Sequence, residues 1–85
     1  NAPPQRVRMS FKETKELEGL PAAIEALETE QTDLMTAMSD PAYFKSEPAR
    51  QKADKERMDA LPGLIEAAYA RWEELTAKSE AANQR

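Results

Sequence analysis

The chain contains neither cysteine nor histidine, and only two of its 85 residues are glycine. It therefore has no disulfide, no thiol nucleophile and no Ser-His-Asp triad, and it lacks the thiolate and imidazole ligands that usually hold zinc. A Gly-rich phosphate loop is also absent. We predict that this chain is not an enzyme and has no catalytic, metal or cofactor site of its own. The lack of cysteine is typical of a cytoplasmic protein, which is the localisation we expect.

Long apolar stretches and alternating β-branched runs are missing as well. No run approaches the roughly 20 apolar residues that span a bilayer, so we expect no membrane partner. No stretch has the alternation of a half-buried strand. Ala, Glu, Lys, Leu, Gln and Arg dominate the sequence, and these residues favour long helices. The composition predicts an all-α fold.

Two rows of mainly apolar residues have the spacing of a coiled-coil seam. The steps within each row alternate between four and three residues, which keeps successive side chains facing one partner. Because a loop separates the rows, each is expected to bury the other in an antiparallel two-helix coiled-coil hairpin. The rows are Leu20, Ile24, Leu27, Gln31, Leu34 and Met38, and Met58, Leu61, Ile65, Ala68, Trp72 and Leu75.

Residues 10–80 are predicted to form this hairpin domain. Residues 1–9 are interpreted as a linker that begins with a cloning remnant, and the polar residues 81–85 as a frayed tail. The predicted helices are about 11–18, 21–39 and 47–80.

Local signals place the ends of these helices. Ser10 and Glu13 have the spacing of a capping box, which predicts a helix start. Gly19 suits a helix C-terminus and Pro21 suits a first turn, so a break is expected at residues 19–20. The short first helix would then pack at the open end of the hairpin. Pro62 lies inside the second seam without disturbing its phase, which predicts a kinked but continuous helix.

Aromatic residues fall near both ends of the predicted hairpin. Tyr43 and Phe44 lie at its tip, where they are expected to close the seam; an exposed recognition role is the alternative. At the open end, the residues expected to close the seam are Phe11, Leu17, Tyr69 and Trp72.

The net charge is −4, but the charges are segregated along the chain. Residues 16–40 hold seven acids and no base, whereas bases cluster before and after them. A negative sum is therefore compatible with a local anion-binding surface. The candidate nucleic-acid-binding residues are Arg6, Arg8, Lys12 and Lys15 near the first helix, Lys45, Arg50, Lys52, Lys55 and Arg57 near the tip, and Arg71 on the second helix.

The alternative is that these bases serve the hairpin itself. A turn centred near residue 44 sets Glu30 near Arg57 and Asp33 near Lys55, as flanking charges pair in coiled coils. Exposed pairs of this kind contribute only about 0–1 kcal/mol each.

Several stretches resemble the C-terminal domain of Uup-type ABC-F ATPases, over roughly residues 6 to 78. The resemblance implies a coiled-coil hairpin in a protein with two ATP-binding cassettes, which would bind ATP and Mg outside this chain. Pro62-Gly63 departs from the family pattern. The matching stretches are Ser10-Phe11-Lys12-Glu13, Glu16-Leu17, Leu20-Pro21, Ile24-Glu25-Ala26-Leu27-Glu28, Asp40-Pro41, Tyr43-Phe44 and Ala68-Tyr69-Ala70-Arg71-Trp72-Glu73-Glu74-Leu75.

The resemblance also implies a function, and two alternatives stay open. The first is an accessory DNA-binding domain whose Lys and Arg side chains contact phosphates, with weak, salt-sensitive affinity of about 10⁻⁴–10⁻⁶ M. The second is a protein-interaction coiled coil that docks on its own ATPase cassettes or on the ribosome.

Overall fold

The computed structural model describes residues 8–83 as two long helices joined by a short turn. Helix α1 spans Phe11–Ser39, a 3₁₀ turn spans Pro41–Lys45, and helix α2 spans Pro48–Asn83. The two helices pack against each other as an antiparallel hairpin 69 Å long and 18 by 17 Å across. The predicted all-α hairpin is confirmed, and residues 8–83 contain no strand.

The core of the hairpin is the predicted seam. Leu61 and Leu75 of α2 have no exposed surface, and Ile24 of α1 is 5% exposed. Half-buried positions continue the same spacing towards the start of α1, at Leu17 and Glu13. Burying a side chain of the leucine class stabilises a fold by about 1.5–3 kcal/mol, so this row supplies most of the packing energy of residues 8–83, which contain no third layer.

The predicted break at residues 19–20 is wrong, because α1 is continuous and contains Pro21. Gly19 does not adopt a positive φ. An internal proline destabilises a helix by about 3 kcal/mol. A break at this point, however, would direct the first two helical turns of α1 away from α2 and remove their contacts with it. Those turns are held by two ion pairs with α2, so the expected short helix is simply the beginning of α1. The pairs are Glu13–Lys78 and Glu16–Arg71.

The capping box at the start of α1 is confirmed. The Ser10 hydroxyl accepts from the Glu13 amide, and the Glu13 carboxylate accepts from the Ser10 amide, both at 3.0 Å. The other Glu13 oxygen accepts from Lys78 Nζ at 2.7 Å. The hydrogen bond from Lys78, followed by the one from the Ser10 backbone, lowers the pKa of Glu13 from 4.5 to about 2.

Helix α2 passes through Pro62 and Gly63 without interruption, as predicted. It begins at Pro48, one residue later than expected, and reaches Asn83 rather than ending at about residue 80. Part of the predicted frayed tail is therefore helical. Residues 1–7 and 84–85, which include most of the predicted linker and the end of the tail, lie outside the described residues.

The 3₁₀ turn at the tip separates the two neighbouring aromatic residues. Tyr43 is 7% exposed and donates its hydroxyl hydrogen to Asp54 Oδ2 at 2.9 Å, so it closes the seam as predicted. Phe44 is 71% exposed, and the expectation that it also closes the seam is wrong. With three residues per turn, consecutive 3₁₀ side chains point about 120° apart, and only one of them can face inward.

The open end also differs from the prediction. Phe11 is 78% exposed and does not close the seam. Its position in the first turn of the continuous α1 places it off the row that runs through Glu13 and Leu17. Trp72 and Tyr69 are 37% and 42% exposed, so they cover the seam with one side facing solvent.

Replacing Gly19 with alanine is expected to stabilise the protein by about 0.5–1 kcal/mol, because a helical glycine costs that much relative to alanine. A Cβ at Gly19 would meet nothing within 4 Å. Urea unfolding followed by far-UV circular dichroism measures the change. Gly63→Ala is the matched control in α2, where a Cβ also has open space. A loss of stability in Gly19→Ala alone would show that the chain does break at residue 19.

The stability of the hairpin is expected to fall as the pH drops from about 4.5 to about 2. Folding lowers the pKa of Glu13 from 4.5 to about 2. The Glu13 carboxylate therefore contributes fully to the stability of the folded state above pH 4.5, and this contribution is lost as the carboxylate is protonated. Glu13→Gln keeps a capping-box residue but loses the charge, and it should flatten the pH dependence. Urea midpoints at several pH values test this. Glu56→Gln, an exposed substitution on α2, should leave the slope unchanged.

Candidate nucleic-acid interface

Two of the predicted binding residues form ion pairs between the two helices of the hairpin. Arg57 Nε donates to Glu30 Oε2 at 2.6 Å, and its terminal nitrogen donates to Oε1 at 2.8 Å. Arg71 makes the same bidentate contact with Glu16: its Nε donates to Oε2 at 2.7 Å and a terminal nitrogen donates to Oε1 at 3.0 Å. Each carboxylate raises the pKa of its arginine, and each arginine lowers the pKa of its carboxylate. Both guanidinium groups therefore tie α1 to α2 rather than offering their charge to a ligand.

The predicted pairing of Arg57 with Glu30 is confirmed, whereas the predicted pairing of Lys55 with Asp33 is not observed. Lys55 Nζ lies 3.1 Å from Asp59 Oδ2, one turn along the same helix, and not beside Asp33 as expected. Exposed pairs within a helix contribute little, so this lysine can exchange its partner at small cost. Sequence reasoning missed the pair of Glu13 and Lys78, because 65 residues separate them and the predicted break placed Glu13 outside the hairpin.

Within residues 8–83, bases without an ion pair lie both at the tip and at the start of α1, where they are Arg8 and Lys12. Lys45 and Lys52 are exposed, and within residues 8–83 neither forms an ion pair. Arg50 lies 5.7 Å from the centre of the Tyr43 ring and 3.5 Å from Asp54. The exposed Phe44 precedes Lys45 directly. The tip therefore presents one exposed aromatic ring and three bases, with Lys45 on the 3₁₀ turn and Arg50 and Lys52 at the beginning of α2.

The remaining candidates lie at the opposite end of the molecule. Arg8, Lys12 and Lys15 are exposed around the start of α1, where Lys15 Nζ lies 5.6 Å from the Phe11 ring centre and 3.7 Å from Glu18. Arg6 lies outside the described residues. The 29 residues of α1 span about 43 Å at 1.5 Å per residue, so the two groups of bases do not form one continuous surface.

Two other features, a metal centre and a membrane-spanning helix, do not occur within residues 8–83. Within residues 8–83 no group of three or more acidic side chains is placed to hold a metal ion. No helix among these residues is long and apolar enough to cross a membrane.

Comparison with known proteins identifies relatives of this chain. Residues 8–77 match the family model described as the ABC transporter C-terminal domain. The chain is 38% identical over 80 residues to the ATP-binding protein Uup-like and 39% identical over 75 residues to the ATP-binding protein Uup, both of Haemophilus influenzae. These matches cover 94% and 88% of the chain but only 17% and 12% of the relatives. No solved structure matches the chain significantly.

The matched region includes α1, the tip and α2 as far as residue 77, so the similarity extends over both helices and not over one generic coiled-coil segment. It confirms the resemblance carried by the capping box, the tip and the residues around Trp72. The chain therefore belongs to the ABC transporter C-terminal domain family, as a C-terminal domain of the Uup type.

Proposed function

We propose that this non-catalytic accessory domain binds nucleic acid through the tip of its hairpin. The observation that carries the proposal is the side chain of Phe44, which is 71% exposed beside Lys45. The ring meets the Tyr43 ring edge-on, with ring centres 5.9 Å apart, but most of its surface still faces solvent, whereas Tyr43 is buried. An exposed aromatic ring between basic side chains is the arrangement with which proteins hold single-stranded nucleic acid.

The side chains at the tip would make two kinds of contact with nucleic acid. Lys45 and Lys52, together with Arg50, neutralise phosphates and release counterions, without reading sequence. The ring of Phe44 stacks on an unpaired base, which requires a single strand, an end or a distorted duplex. We therefore expect the tip to prefer nucleic acid with accessible bases over an intact duplex.

The acidic surface of α1 limits the affinity. Residues 16–40 hold seven acids and no base, so a strand lying along the hairpin would be repelled. Contact is restricted to the tip and to two or three phosphates. For a single strand this corresponds to a slope of roughly −1.4 to −2.1 in a plot of log binding constant against log salt concentration.

The domain would act as part of a longer protein. The curated relatives are ATP-binding proteins by name, and the chain covers less than a fifth of their length. We propose that ATP and Mg are bound by ATPase cassettes of that longer protein and that the hairpin carries the nucleic-acid contact away from them. A hairpin that instead docks on those cassettes or on the ribosome is the alternative that the experiment below separates.

Reversing the charge of Lys45 and Lys52 together is expected to weaken binding to a labelled single strand by about tenfold or more at low salt and to flatten the salt slope by roughly 1.4. Fluorescence anisotropy over a salt series measures both quantities. Lys12→Glu with Lys15→Glu is the matched control, since each pair changes the net charge from −4 to −8 (two lysines, two units each). That control should lose about threefold or less, because it acts only through screened long-range charge.

Phe44→Ala tests the stacking contact separately. It should cost about 1–3 kcal/mol of binding to a single strand and much less to a duplex, whereas Phe11→Ala at the other end should be neutral. If the Lys12 and Lys15 pair has the larger effect, the tip is not the binding site. If no strand binds even at low salt, the nucleic-acid proposal is wrong and the docking alternative takes its place.

A further inference from the structure

A second surface lies between the helices near the open end, away from the tip. It is a groove of about 350 Å³ in which Tyr69 and Trp72 of α2 face α1. Trp72 keeps 37% and Tyr69 42% of its surface exposed, although Leu75, one turn beyond Trp72 on α2, is completely buried. The residues that line the groove are Pro21, Ile24, Glu25, Glu28, Tyr69 and Trp72.

Carboxylates surround this aromatic surface, and no base lines it. The Tyr69 hydroxyl donates to Glu28 Oε2 at 3.1 Å, which orients the carboxylate across the groove. Glu25 and Glu28 form no ion pair within residues 8–83. Helical spacing places Glu66 and Glu73 about one turn on either side of Tyr69. The groove thus combines aromatic faces with uncompensated negative charge.

We propose that this groove binds an arginine-bearing segment of a partner protein. A guanidinium group stacks on an aromatic face and donates two parallel hydrogen bonds to a carboxylate, so Trp72 and Glu25 or Glu28 suit its two modes of contact at once. The same carboxylates repel phosphate, which excludes nucleic acid from this surface. A second copy of the hairpin in a two-fold interface would bring these carboxylates together and is disfavoured by the same repulsion.

The groove is separate from the tip and does not depend on the function proposed there. Lys52 and Tyr69 are seventeen positions apart on α2, a distance of about 26 Å along the helix. This exceeds the screening length of about 8 Å at physiological salt, so the two surfaces are expected to bind their ligands independently. One hairpin would then bind an anionic ligand at its tip and a cationic protein segment near its open end.

The sole tryptophan of the chain, Trp72, provides the measurement. The full chain is titrated with an acetylated, amidated peptide of alternating glycine and arginine residues, and with matched peptides in which lysine or glutamate replaces arginine. The arginine peptide should cause a saturable change in Trp72 fluorescence, the lysine peptide should bind more weakly, and the glutamate peptide should cause no change. Absence of a saturable change with arginine would overturn the proposal.

Matched double variants show whether the groove carboxylates are responsible. Glu25→Gln with Glu28→Gln should weaken the arginine peptide by about fivefold or more. Asp33→Asn with Glu56→Gln removes the same charge from exposed positions that do not line the groove and should change the affinity by less than about twofold. Equal losses in both variants would reduce the binding to non-specific charge attraction and overturn the assignment.

Two further measurements separate this proposal from its alternatives. Lys45→Glu with Lys52→Glu should leave the peptide affinity within about twofold while it weakens nucleic-acid binding, so either proposal can fail without the other. Sedimentation velocity over a range of concentrations should show a monomer. A dimer whose dissociation exposes Trp72 would assign the groove to a second copy of the chain and overturn the proposal.

Discussion

The apolar seam between α1 and α2 is the main contact between the two helices. Leu61 and Leu75 are completely enclosed in it, and within residues 8–83 no third layer covers the outer faces of the helices. Helices of 29 and 36 residues cannot be held by propensity alone, because most of the stability of a helix in a protein comes from packing. The register of this seam consequently decides which surface residues meet and which remain available.

The register is secured at several points along the hairpin. At the tip, the hydroxyl of Tyr43 donates a hydrogen bond to Asp54. Further along the hairpin, Arg57 donates two hydrogen bonds to Glu30. Near the open end Arg71 and Lys78 hold the first turns of α1. These ion pairs select an alignment more than they stabilise, since partly exposed pairs contribute little energy. They also remove Arg57 and Arg71 from the surface charge that a ligand would meet.

The two ends of the hairpin acquire different characters from this arrangement. Across the hairpin, only the acids of α1 that face a base of α2 are paired, which leaves Glu25 and Glu28 beside Trp72 without a cationic partner among residues 8–83. The tip, beyond the last of those interhelical pairs, retains Lys45 and Lys52. A chain with a net charge of −4 thereby presents a basic tip and an acidic groove, each of a kind that binds the opposite charge.

Sequence alone was sufficient for the all-α hairpin, the seam, the capping box and the pairing of Glu30 with Arg57, because periodicity and capping are local properties and an antiparallel register follows from the position of the turn. The tertiary structure decided what local rules leave open. Pro21 and Gly19 read as a helix boundary, yet α1 continues because its first turns are held by residues of α2 more than 50 positions away. Tyr43 and Phe44 look equivalent in the sequence, but a 3₁₀ turn can bury only one of two adjacent side chains. Which bases stay available likewise depends on distances across the hairpin, which no single helix encodes.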